Sequence, residues 1–209
     1  MTNHDQLIGE LCARAVPVKR VPPAWRRAAA FTPLMLMLGW IATLIFHRAV
    51  TGWSVPSTAI GIANAVISVL LGAAALLRAL TMSVPGESPS WRGWVAFSFA
   101  AWLAMSLSSL GEPVGLSEAY REGRYCFLFL LTAGLPMVAA AIAALRRTRS
   151  LTPAPSLATA GAGVAFLSLG LLAFCHPAAT TLADMLGHLA AALVLGALTT
   201  ALGFKAIRA

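Results

Sequence analysis

Charge is what this sequence has least of. Only 11% of its 209 residues are Asp, Glu, Lys or Arg, and just 7 are acidic. A soluble domain carries about 25% charged residues and about 45–50% apolar ones, glycine included. Here 59% are hydrophobic before glycine is counted, and the mean hydropathy is +0.81. A soluble globular chain is excluded. The central turns of the apolar runs lack Asp, Glu, Lys and Arg altogether, so the ionisable group that ion and proton pathways place at mid-membrane is missing. None of the 3 cysteines forms a Cys-x-x-Cys pair, and with it the dithiol signature of a redox enzyme is absent. No cluster of aromatics alternates with basic residues, as a single-strand nucleic-acid groove requires, and direct nucleic-acid binding is not expected despite the net charge of +8.

What is present in abundance is hydrocarbon. Apolar runs cover residues 28–47, 57–78, 93–111, 125–145, 156–175 and 182–204, each near the roughly 20 residues that a helix needs to cross a bilayer core. The expected fold is all-α, a polytopic membrane protein with six transmembrane helices. Residues 1–27 form an N-terminal segment, 28–204 the transmembrane part and 205–209 a tail, with five short connections between spans. No separate catalytic domain fits, and an enzyme is not expected. The first run starts too far in, exceeds an h-region of about 7–15 residues and lacks a small-residue cleavage site, so it reads as a true span.

The basic residues orient the bundle. Arg14, Lys19, Arg20, Arg26 and Arg27, then Arg78 and Arg92, then Arg146, Arg147 and Arg149, then Lys205 and Arg208 fall on one side of a six-span chain. Only Arg48, Arg121 and Arg124 fall on the other. Lys and Arg in short flanks mark the cytoplasm, so both termini are expected there, with anionic lipid as a further contact of the basic side. Glu112, Glu118 and Glu122 all lie in the third connection, on the outer side.

The same outer side carries the stretch FCHPAATTLADMLGH at 174–188, which holds Cys175, His176, Asp184 and His188. Asp184 and His188 share a helix face one turn apart, and Cys126 opens the fourth span at the same level. In an oxidising envelope two thiols at one depth can cross-link. Reduced, with His176 or His188, they would form a soft S/N site suited to Zn, Cd or Cu(I). Plainer roles stand beside these: buried cysteine is often an inert hydrophobe, His176 before Pro177 ends a helix, and Asp184 in a first turn, after Thr180 or Thr181 as cap, suits the helix dipole. Asn64, the one strongly polar amide inside the second run, reads as a bond to a neighbouring helix.

At the inner side, Asn3 to Ala15 reads as an amphipathic helix with Leu7, Ile8, Leu11 and Cys12 on one face. A helix this short is unstable alone and must dock on lipid, the bundle or a partner; its mixed-charge polar face favours a protein. The stretch VPVKRVPPAWRRA follows, stiffened by Pro17, Pro22 and Pro23 into an extended spacer, with Trp25 as an interfacial anchor.

A short N-terminal helix, then AVPVKRVPPAWRR, then six spans with a cysteine opening the fourth (RYCFLF) and another closing the fifth (FCHP), resembles the NrsF family of integral-membrane anti-sigma factors. The resemblance covers nearly the whole chain. It implies a bacterial inner-membrane protein that holds an extracytoplasmic-function sigma factor through its N-terminal segment and releases it when heavy metal or oxidant reaches paired cysteines. Carried over by residue, sigma contact falls on Leu7, Ile8, Leu11, Pro17, Val18, Lys19 and Arg20, with Pro22 and Pro23 completing the motif. Sensing falls on Cys126 and Cys175, with His176, His188 and Asp184 beside them. No cofactor is required; a transient heavy-metal ion of the Zn, Cd or Cu class at Cys126 and Cys175 is the ligand implied. Cys12 lies outside the sensor.

Small residues in AAAIAA and GAGVAF permit close backbone approach and sliding. Pro136 frees a carbonyl within the fourth span, as a flexible point or a static kink. The rival reading is a small six-helix transporter or metal-handling protein.

Overall fold

The structure is a computed structural model, and it describes residues 2–15, 21–45, 57–84, 92–108, 116–148, 153–174 and 182–208. Every element among these residues is a helix: α1 Thr2–Ala13, α2 Ala24–Thr43, α3 Ser57–Met82, α4 Arg92–Ser108, α5 Leu116–Arg146, α6 Pro153–Leu172 and α7 Leu182–Arg208. The all-α expectation holds.

By length and composition four helices can cross a membrane, within Gly61–Met82, Arg124–Arg146, Pro153–Leu172 and Leu182–Ala206. The other two expected spans, 28–47 and 93–111, are not among these four and extend beyond the described residues. α4 has 17 described residues, and residues 85–91 and 109–115 on either side of it lie outside those described. α2 begins Ala24-Trp25-Arg26-Arg27, and that polar first turn dilutes its apolar run.

Several boundaries move. α2 starts at Ala24, before residue 28, because Pro23 precedes it with an extended backbone, φ −56° and ψ 145°, and a proline there commits the next residues to a clean start. The third connection, expected as loop through Arg124, is helical from Leu116; past Gly115 nothing but a single Gly123 interrupts LSEAYREGR. The tail at 205–209 is likewise mostly helix, since α7 runs on to Arg208. α5 continues through Pro136 without a break.

Contacts define an up-and-down bundle for α2 to α7. α3 and α6 run antiparallel, with Gly72 against Leu167, Gly163 against Leu76 and Gly170 against Val69. α6 and α7 do the same, with Gly203 against Leu157 and Gly161 against Gly196. α5 and α7 run parallel, with Cys126 beside Asp184 and Gly134 beside Leu195. The starts of α2, α6 and the ends of α3, α5, α7 therefore share one end. α6 is central, 67% of its span being buried against 17% for that of α7. Its core partners include Met35, Leu76, Leu130, Met137 and Leu195.

Several hydroxyls in these apolar helices bond their own preceding turn, as Ser168 Oγ does to the Val164 carbonyl and Thr199 Oγ1 to that of Leu195, which satisfies them without water. The outside is apolar. Ile62, Val66 and Leu70 on α3, and Leu186, Leu189 and Leu193 on α7, form exposed stripes that a water-facing monomer would not carry.

Candidate functional site

The thiol of Cys126 and the carboxylate of Asp184 meet at the end of the bundle opposite Arg27. Cys126 is on the part of α5 where its apolar run begins and Asp184 in the first turn of α7. Parallel packing of the two helices brings them level. Cys126 Sγ donates to Asp184 Oδ1 at 3.6 Å, a reasonable length for a sulfur donor. Both side chains are enclosed, at 4% and 0% exposure. His188 is half-buried one turn further along α7. Of the five residues expected around the sensor, then, the structure joins Cys126 and Asp184 and sets His188 on the adjacent turn.

Cys175 and His176 lie outside the described residues, and so does any pairing with Cys126. The helix that leads to them ends at the T-shaped contact of Phe174 with Trp40, centroids 5.9 Å apart, beside the end of α2. Among the described residues no three of His, Cys, Asp and Glu gather as a metal site.

The opposite end carries the expected partner-binding residues. Leu7, Ile8 and Leu11 are all more than half exposed on α1, and α1 packs against no other helix among the described residues. Its short length thus gains nothing from the bundle. Cys12 on the same helix is an exposed free thiol. Pro22 and Pro23 are exposed, while Pro17, Val18, Lys19 and Arg20 lie outside the described residues. Trp25 is exposed with the Arg26 guanidinium 5.2 Å over its ring.

Arg27 lies at the end where the basic residues were expected, but buried. Counted in the sequence as a flanking charge, it is 9% exposed. Its Nη2 donates to the Leu80 carbonyl at 2.9 Å and to Ser83 Oγ at 3.5 Å. Cations at helix C-termini meet carbonyls that have no partner in the helix itself, and this one joins α2 to the end of α3. A signal for it exists in the sequence: Ala24, Arg27, Ala28, Met35 and Gly39 form one stripe at helical spacing, and all are buried. Arg147, just past the end of α5, lies 5.9 Å from the ring of Phe31 on α2.

No family model matches this chain, and neither the curated proteins nor the solved structures include a match.

Chemically, the arrangement offers a proton-bearing thiol fixed against a carboxylate between two helices at one end, and an unpacked apolar helix face at the other. Asn64 adds a polar seam between α3 and α4: its Nδ2 donates to Ser106 Oγ at 3.2 Å, and Trp102 Nε1 donates to Ser68 Oγ at 2.8 Å. This is the interhelical bond expected of Asn64.

Proposed function

We propose that this chain is an anti-sigma factor of a bacterial inner membrane, with six spans and both termini cytoplasmic. Its N-terminal segment holds an extracytoplasmic-function sigma factor, and a heavy-metal or oxidative signal at Cys126 and Cys175 on the outer face releases it. The observation that carries the reading is α1, whose exposed Leu7, Ile8 and Leu11 pack on no other helix among the described residues. A short amphipathic helix of this kind gains stability when an apolar groove of a partner covers it. The placement of a buried thiol at the far end of the bundle from the start of α2, which the N-terminal segment leads into, supports a signal received on one side and answered on the other.

The test is capture of the sigma factor encoded beside this chain by the purified protein and by its 1–20 deletion. Capture by the intact chain and loss in the deletion, with membrane insertion unchanged, supports the reading. Equal capture by both, or none by the intact chain, overturns it in favour of a transporter or metal-handling protein.

A further inference from the structure

The geometry points to Asp184 as the latch of the sensor: its carboxylate holds the protonated thiol of Cys126 and thereby ties α5 to α7 in the resting state. This inference rests on the functional reading above. The two residues are 58 positions apart in sequence and on different helices, yet Sγ and Oδ1 stand 3.6 Å apart with both side chains enclosed. A carboxylate in an apolar bundle is costly to bury unless it accepts hydrogen bonds. An acid that served only the dipole of α7 would do so from the surface; Asp184 is instead fully buried against the thiol.

A thiol donates only while it keeps its proton. Were a soft divalent cation to take Sγ as a ligand, the thiol would give up its proton to solvent as the sulfur–metal bond formed, with no change of oxidation state. Asp184 would then lose its thiol donor, and α5 and α7 would lose this bond between them. The close packing of Gly134 on Leu195 holds the same two helices deeper in, so the change is confined to their ends.

Serine and alanine at position 126 separate this latch from a plain requirement for cysteine. Cys126→Ser keeps an O–H for Asp184, whereas Cys126→Ala removes the donor and Asp184→Ala the acceptor. In the purified full-length chain in detergent micelles, Cys126→Ala and Asp184→Ala should each lower the thermal midpoint by about 3 °C. The double variant should fall no further than the worse single, because the two share one interaction. Cys126→Ser should stay near the parent. Should Asp184→Ala fail to insert, Asp184→Asn keeps an acceptor oxygen and should stay near the parent too. Additive losses, or Ser and Ala behaving alike at position 126, would overturn the latch.

The regulatory consequence is read by sigma-factor capture with Cd2+ as the probe. Cys126→Ala should retain the sigma factor at least about tenfold less well without Cd2+, a difference of about 1.4 kcal/mol. Cys126→Ser should hold it with and without the ion. Capture by the parent together with undiminished capture by Cys126→Ala and Asp184→Ala overturns the latch alone; no capture by the parent overturns the functional reading on which it rests.

Discussion

Gly161 of α6 faces Gly196 of α7 so closely that a methyl group placed on Gly161 would stand 2.8 Å from the Gly196 Cα. The relationship is one-sided. A methyl on Gly196 would meet nothing within 4 Å. Gly161→Ala therefore forces backbone against backbone, and overpacking of this kind costs about 1–3 kcal/mol. Gly196→Ala instead removes a helix-interior glycine and should be neutral or stabilising by up to about 1 kcal/mol. Thermal unfolding of the two variants in the same detergent checks this, and equal midpoints would show that α6 and α7 do not meet here.

Arg27 gives a second test of packing. Arg27→Ala removes the donor to the Leu80 carbonyl and to Ser83 Oγ, and loss of a charged hydrogen bond costs about 1.5–3 kcal/mol. Arg26→Ala, one residue away but exposed, should change stability by less than about 0.5 kcal/mol. A parallel drop for both would mean that Arg27 acts as general surface charge and not as a clasp between α2 and α3.

The contrast between these two arginines shows where sequence reasoning reaches and where it stops. Helix class and the interiors of the apolar runs followed from hydropathy, because a run of Leu, Ala and Val long enough to cross hydrocarbon has few alternatives. Boundaries were poorer: Leu116 to Arg124 and Lys205 to Arg208 are polar yet helical, and polarity ends a span without ending a helix. Asp184, His188 and Cys126 were placed at one level, as found. That the thiol bonds the carboxylate depends on the parallel docking of α5 on α7, a tertiary fact with no local signal. Arg27 was legible in its stripe with Met35 and Gly39, but charge counting hid it.

Asn64 and Ser106 should behave as a unit. Asn64→Leu and Ser106→Ala each remove the same interhelical bond, which in membranes is worth about 0.6 kcal/mol and at most about 1.7 kcal/mol. The double variant should therefore be no less stable than the worse single. Additive losses would mean that the bond between α3 and α4 does not form.

The thiols differ enough in exposure to report on the fold directly. Cys12 is exposed and Cys126 buried at 4%. In the folded, detergent-purified protein, a maleimide should label Cys12 in a Cys126-free, Cys175-free variant at least about tenfold faster than it labels Cys126 in a variant free of the other two, since reactivity follows access and thiolate character. Denaturant should erase the difference. Comparable rates before denaturation would place Cys126 at the surface and remove the basis for its bond with Asp184.

Leu7 and Leu11, four residues apart on one face of α1, are where the proposed partner would dock. Both are exposed and the helix packs on no other among the described residues, so charges placed there meet water in the free chain. Leu7→Asp with Leu11→Asp should leave the thermal midpoint within about 1 °C of the parent, the range expected of surface substitutions. An apolar groove that covers both leucines loses about 1.5–3 kcal/mol per buried side chain, and capture of the sigma factor should fall by at least about tenfold. Glu10→Lys on the same helix separates a groove from a charge contact: unchanged capture there, with loss at the leucines, assigns binding to the apolar face. Full capture by the leucine variant would move the contact off α1 and onto the proline-rich spacer that follows it.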